Sequence, residues 1–349
     1  THDESETRER DLAAELNLAY NFNITNQIKV KLNLGGKYKH KSKEFDQLYF
    51  VACGGSSALM YPSKFFADQH SQKMNTDYYN ADEFIHLAPA ALGENSVVIT
   101  CSQEGKTPET VAAARFAKSK GATVIALAMK VGTPLEQTAD HFVLYGHYNT
   151  APVIETSYSA VYMLTAGILE QQERIPLLEG MVKNLNAATP VINAAKKHFL
   201  PMANEFARAC KEAKVLYSLG SGPDYSQSYV FCYCYMMEMQ WINAIPLHAG
   251  EFFHGPFEII EKDSPVVLLL GRSSTRDLEE RALRFCQRYT DKLYTIDTKE
   301  VDFEDIDEAY HDVVAVFVLN NVCRLFSQKI AAVRDHPLDI RRYMHLVDY

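Results

Sequence analysis

A single tryptophan, Trp241, stands in the 349 residues of this chain. Basic side chains are also short, 35 Lys and Arg against 44 Asp and Glu, for a net charge of −9. That surplus of acid argues against nucleic acid or an anionic membrane as the main partner. Paired cysteines are missing as well. The seven cysteines are an odd number and lie mostly within apolar runs. Cys232-Tyr233-Cys234 has neither zinc spacing nor a matching second pair, so no metal site is expected. Reduced thiols and a cytoplasmic location follow. No segment has the basic, apolar and small-residue layout of a signal peptide. The apolar run Tyr225–Met237 is too short, and too rich in Tyr and Cys, for a membrane span.

What is present is a repeating alternation. Residues 1–45 form a polar arm with a helix expected over 8–20 and a basic stretch, Lys37–Lys43, read as a solvated face. From Leu48 the texture changes. Leu48–Cys53, Ser96–Cys101, Ala122–Ala128 and His141–Tyr145 read as buried strands. Between them Thr107–Lys120 reads as a helix, with Pro108 in its first turn and Gly121 as its stop. Alternating strands and helices predict βαβ units and a parallel sheet. The pattern then recurs. Val215–Leu219 with Gly220-Ser221-Gly222 mirrors Phe50–Cys53 with Gly54-Gly55-Ser56. Ala249–His254 mirrors Ala81–His86, and Leu293–Asp297 mirrors Val124–Ala128. An α/β fold in two copies is expected, at 46–195 and 205–349, joined by a helical stretch around 160–210.

Two loops of the first copy suit an oxyanion. Cys53-Gly54-Gly55-Ser56-Ser57 and Ser102-Gln103-Glu104-Gly105-Lys106-Thr107 each follow a strand and open a helix. Glycine permits close backbone approach, and a helix N-terminus offers free N–H groups. Each loop also fits an ordinary strand-to-helix turn with Ser or Thr caps. Ligands of parallel α/β sheets bind beyond the carboxyl ends of the strands, where both loops would converge. The matching turn of the second copy, Gly271–Arg276, carries two arginines that could also take an anion.

The second copy holds the acid–base candidates. Between Asp224 and Glu251 the only formally charged side chain is Glu238, in Met237-Glu238-Met239-Gln240-Trp241. Apolar surroundings are expected to strip its hydration. His254 follows in Gly250-Glu251-Phe252-Phe253-His254-Gly255-Pro256, and a histidine titrates near neutrality. Together they form a candidate proton shuttle. Each also fits a structural role, Glu238 as a carboxylate satisfied by backbone N–H groups or an arginine, His254 as a core histidine. The repeat favours chemistry: His86 matches His254, but His70 stands where the second copy has Glu238. His248 and Glu251 lie nearby, and Glu251 has a structural twin in Glu83. Trp241 either walls the pocket or packs in the core. Arg341, Arg342, Tyr343, His345 and Tyr349 either close over a substrate or form a solvated tail.

These motifs resemble the signatures of tandem sugar-isomerase (SIS) domain proteins. The arrangement is similar to the isomerase half of glucosamine-6-phosphate synthase across most of residues 46–349. Met237–Trp241, Glu251–Glu258 and Arg341-Arg342-Tyr343 look closer still to the bacterial fructosamine-6-phosphate deglycases. The resemblance implies two tandem SIS domains, each a parallel sheet flanked by helices in a flavodoxin-like three-layer sandwich. It implies that Ser56, Ser102, Gln103 and Thr107, with Gly55 beside them, hold the sugar phosphate. Glu238 would be the general base, and His254 would act on the ring or C2 oxygen from across a homodimer interface. Glu104 departs from the family pattern; it must point away from the phosphate or be offset by Lys106.

The function expected is cleavage of a phosphorylated sugar-amine, an Amadori compound, through an enaminol and an imine. No cofactor is expected, because the substrate's own carbonyl and amine supply the electron sink. Rival readings are an aldose–ketose isomerase of phosphosugars and, from another class, a sugar-phosphate sensor without turnover.

Overall fold

The computed structural model describes residues 21–25, 28–31, 44–147, 150–344 and 346–347. The chain divides into two compact units, 1–43 and 44–349. In the first, β1 (Asn21–Thr25) pairs antiparallel with β2 (Ile28–Lys31). The helix expected over 8–20 and the basic stretch at 37–43 lie outside the described residues.

The second unit is built on two parallel sheets. The first has β3 (Gln47–Ala52), β4 (Asn75–Asn80), β5 (Ser96–Cys101), β6 (Thr123–Ala128) and β7 (His141–Leu144). Their spatial order is β4-β3-β5-β6-β7. The second has β8 (Val215–Gly220), β9 (Asn243–His248), β10 (Val266–Leu270) and β11 (Leu293–Asp297). Its order is β9-β8-β10-β11, the same winding without a fifth strand. All six residues of β5 and all five of β10 are buried. That is what central parallel strands covered on both faces require. The polar β4, Asn-Thr-Asp-Tyr-Tyr-Asn, lies at an edge, where polar side chains are tolerated.

Ten helices wrap these sheets among the described residues. In the first half they are α1 (Gly54–Ala58), α2 (Tyr61–His70), α3 (Ala81–Leu87), α4 (Pro108–Ser119) and α5 (Pro134–Thr138). Two long helices follow, α6 (Ser157–Glu173) and α7 (Leu178–Cys210). The second half adds α8 (Gly222–Tyr229), α9 (Arg276–Tyr289) and α10 (His311–Arg334). Helix α4 falls one residue inside the expected Thr107–Lys120 at each end, with Thr107 as its N-cap. The helical stretch expected around 160–210 is α6 and α7, and α7 continues through Pro190 and Pro201.

Helix α10 is long and apolar enough to cross a membrane by length and composition, yet it is mostly buried. It packs along α7 as a core helix. The amide of Asn320 on α10 donates to Gln227 Oε1 on α8 at 2.9 Å. That bond ties the core helix to the second sheet's first crossover.

One element had no sequence signature. Val230–Met239 is a π-helix, continuing from α8 and ending one residue before Gln240. Trp241 then adopts φ +55°, a left-handed conformation that a bulky residue takes only where its surroundings impose it. π-helical turns are rare and often mark functional positions. This one carries Glu238 in its last turn.

Candidate functional site

The chain runs from β3 outward to β4, then crosses back over β3 to β5. The sheet's switch point therefore lies between β3 and β5, which are hydrogen-bonded neighbours. Both oxyanion-type loops leave from there. After β3, Gly54 takes φ +54°, which lets α1 start at once. Gly55 is exposed and Ser56 half-buried, with its side chain reaching the Cys101 thiol. After β5, Ser102 Oγ and Thr107 Oγ1 lie 2.8 Å apart, closing the loop on itself. Gly105 turns that loop at φ +64°, and a Cβ there would collide with the Thr133 side chain. Gln103 is exposed, and its carbonyl accepts from Met129 N–H at 3.0 Å.

Glu104 pairs with Lys130, not Lys106. This corrects the expected partner: Lys130 follows the next strand, β6, and reaches across to the loop. The acid is thereby balanced without drawing on Lys106.

Glu238 is partly withdrawn from water, as its apolar neighbours suggest, and it is also paired with an arginine. Its side chain keeps 26% of its exposure, and Arg341 Nη2 stands 2.8 Å from Oε1. The local run is apolar because the π-helix buries Val230, Phe231, Cys232, Tyr235 and Met236, while Glu238 leaves on another side.

A cavity of about 450 Å³ opens beside this pair. Glu238, Trp241, Asn243, Arg341, Arg342 and Tyr343 are among its lining residues. Arg342 lies over the Trp241 ring at 4.2 Å, so the tail and the indole form one wall. His336 meets the same indole edge-on at 4.4 Å. His345 and Tyr349 lie outside the described residues.

The Cys53–Ser57 loop packs near the π-helix through Cys234, while none of Ser56, Ser102, Gln103 and Thr107 is among the residues lining the Glu238 cavity. A Cβ at Gly55 would meet Cys234 Sγ at 3.4 Å, so α1 and the π-helix touch there. Cys234 precedes Glu238 by about one turn of that helix. Burial first, then the charge of Glu238, push the Cys234 thiol up to about 12. It is a neutral wall between loop and acid. The only available signal was its place in Cys232-Tyr233-Cys234, whose spacing speaks about metals and not about packing.

His254 is exposed and is not among the residues lining the Glu238 cavity. Its backbone N–H donates to Glu251 O at 2.9 Å, inside the turn after β9. Within one chain, then, the expected pair is not assembled. His248 ends β9, with its Nδ1 accepting from Gly250 N–H at 3.1 Å and its ring edge-on to Tyr225. Burial lowers its titration, and Glu251 partly opposes that. Glu251 itself is exposed. No cluster of three or more His, Cys, Asp or Glu suited to a metal occurs among the described residues.

Two parallel sheets wound alike, with paired loops at the switch point of the first, define a tandem α/β class of protein. The SIS domain model matches residues 43–166. The chain is 44% identical over 309 residues to fructosamine deglycase FrlB of Bacillus subtilis (strain 168), covering 88% of this chain and 94% of that protein. It is 26% identical over 311 residues to fructoselysine 6-phosphate deglycase of Escherichia coli (strain K12), covering 88% of each. A Bacillus subtilis crystal structure described as a candidate phosphosugar isomerase superposes with a TM-score of 0.87 at 44% identity. That match covers 88% of this chain and 94% of that one. The chain belongs to the SIS domain family, and its relatives are enzymes of deglycase and phosphosugar-isomerase type.

Proposed function

We propose that this chain is a homodimeric cytoplasmic deglycase that cleaves a fructosamine 6-phosphate, or glucoselysine 6-phosphate, to a hexose 6-phosphate and a free amino acid. The observation that supports the reading is the packing of α1 against the π-helix, where a Cβ added at Gly55 would meet Cys234 Sγ at 3.4 Å. In this reading the Cys53–Ser57 loop takes the phosphate about one helical turn from Glu238, which lines a cavity. The names of the two deglycase relatives support the same chemistry.

In this mechanism Ser56, Ser102, Gln103 and Thr107 anchor the phosphoryl oxygens at the switch point. The sugar then extends along α1 toward Glu238. Glu238 removes a proton from C1 while the C2 oxygen takes one from His254 of a second copy, giving the enaminol. Protonation at C2 yields the iminium of an aldose 6-phosphate. Water adds to C1, the C–N bond breaks, and the amine leaves with the proton released by water. The exposure of His254 in the single chain is what a residue serving a neighbouring subunit requires. The division into domains at 46–195 and 205–349 belongs to the same proposal, one half gripping phosphate and the other moving protons.

The test is turnover on a panel of fructose-amino acid 6-phosphates, fructoselysine 6-phosphate and glucoselysine 6-phosphate, measuring both glucose 6-phosphate and free amine. Stoichiometric release of the two supports the proposal. Interconversion of fructose 6-phosphate with an aldose phosphate, and no amine release from any of the panel, establishes the isomerase reading instead.

A further inference from the structure

The second half repeats the crevice of the first, and its crevice is occupied from within. Gly54 follows β3 at φ +54°, and Gly222 follows β8 at φ +49°, each opening a helix one residue after the loop's first position. Across each crevice a hydroxyl pair closes the facing loop: Ser102 with Thr107 at 2.8 Å, and Ser273 with Thr275 at 2.8 Å. Both switch points lie between equivalent strands, β3 and β5 in one sheet, β8 and β10 in the other.

The contents differ. Glu279, on the first turns of α9, has no solvent exposure. Its Oε1 accepts from the Ser221 N–H at 3.0 Å and the Ser221 hydroxyl at 2.9 Å. Its Oε2 accepts from the Gly271 N–H at 3.0 Å. Backbone N–H and hydroxyl donors converging from two loops are the groups a phosphoryl oxygen would take. In the first half, α4 has uncharged Val111 at the same step from its Thr cap, and uncharged Thr110 at the same step from its strand end. Neither of those positions supplies a carboxyl to that crevice.

A second acid lies beneath. Asp224 is also fully buried, and its carboxyl lies within hydrogen-bonding reach of the Glu279 carboxyl. A Cβ at position 271 would collide with it, so glycine is required there. Burial, then repulsion by Glu279, holds the Asp224 carboxyl well above its ordinary range. Burial pushes Glu279 up to about 7 despite its three donors. Asp312 on α10 adds to the repulsion and Arg276 on α9 offsets part of it. Arg276 is otherwise committed to Asp297, to Glu280 and to the Gly271 carbonyl. Arg272 is bound to the carbonyls of Thr298 and Val301. The arginines expected to receive an anion in this turn are thus spent on the protein itself.

We propose that the crevice of the second half is a phosphate-type site whose donors are already taken by an internal ligand, the Glu279 carboxyl group, and that this occupation confines sugar phosphate to the first half. The inference goes beyond the deglycase reading and does not depend on turnover.

Two measurements test it. Calorimetric titration of the full chain with glucose 6-phosphate is expected to give one site per chain. A second site that survives Ser102→Ala with Thr107→Val would overturn the proposal. In that same doubly substituted background, Asp224→Asn with Glu279→Ala vacates the second crevice but leaves its donors. Sulfate, compared with chloride at equal ionic strength, is then expected to raise its melting temperature by several degrees more than that of the parent. A folded variant with no such gain refutes the idea. Should the variant not fold, Asp224→Asn with Glu279→Ser, which leaves no carboxylate in the crevice, is read the same way. A sulfate gain in these variants, even with no turnover on any sugar-amine, would support the sealed crevice while removing the deglycase reading.

Discussion

Arg341 Nη2 stands 2.8 Å from Glu238 Oε1, joining the last described segment of the chain to the end of the π-helix. Both side chains keep part of their exposure, so the pair adds little to global stability. Its effect is local. It fixes the direction of the acid and keeps the tail against the cavity.

Arg341→Ala is therefore expected to lower kcat/KM by about ten- to a hundredfold with the melting temperature nearly unchanged. Arg341→Lys should recover part of the loss, because it restores charge but not the planar fork. Steady-state kinetics beside thermal melts decide it. Unchanged kcat/KM in the alanine variant would place Arg341 outside the reaction.

Glu238→Gln and His254→Ala should each reduce turnover by about a thousandfold or more while the fold persists. If each site draws its histidine from a second copy, mixing the two inactive variants under subunit exchange restores intact sites. Random pairing would bring back about a quarter of wild-type activity. Mixtures that stay as inactive as their components, despite exchange shown by native mass spectrometry, would exclude the shared site.

Gly105→Ala forces a side chain into a left-handed turn and against Thr133. The expected cost is about 1–3 kcal/mol of stability. KM for a phosphorylated substrate should rise as the Ser102–Thr107 pair is displaced. Urea unfolding measures the first and kinetics the second. Wild-type values for both would mean that the loop has room the geometry denies.

The buried acids give a pH signature. Glu279 binds its proton more tightly in the fold, at about 7 against an ordinary 4.5. Asp224 moves in the same direction. The protonated form of Glu279 thus contributes stability that is complete below about pH 4.5 and lost as pH rises through about 7, and Asp224 contributes with the same sign. Relative to Asp224→Asn with Glu279→Gln, the wild-type protein should lose stability across that interval. Unfolding free energies from urea titrations at successive pH values provide the comparison, and parallel curves for the two proteins would contradict it.

Some of this architecture is legible residue by residue. Ser96–Cys101 reads as a central strand because six residues in a row are compatible with burial on both faces. Gly54-Gly55-Ser56 and Gly220-Ser221-Gly222 read as matching turns, and the structure gives the left-handed position to Gly54 in one and Gly222 in the other. Glu238 stands out as the sole charge in a long apolar stretch. The helix face it occupies did not follow, because periodicity assigns a face only when the helical period is known, and a π-helix changes it. Lys130 displaced Lys106 as the partner of Glu104 for a similar reason, since sequence neighbours are not sheet neighbours.

The sequence alone determined the local steps: which runs are strands, where the helices are capped, and that the pattern is used twice. Those properties depend on φ/ψ preference and burial within a few residues. Tertiary packing decided which distant groups meet: Arg341 on Glu238, Cys234 behind Gly55, and Glu279 in the second crevice. Such meetings depend on how strands and helices stack, and no short-range spacing encodes that.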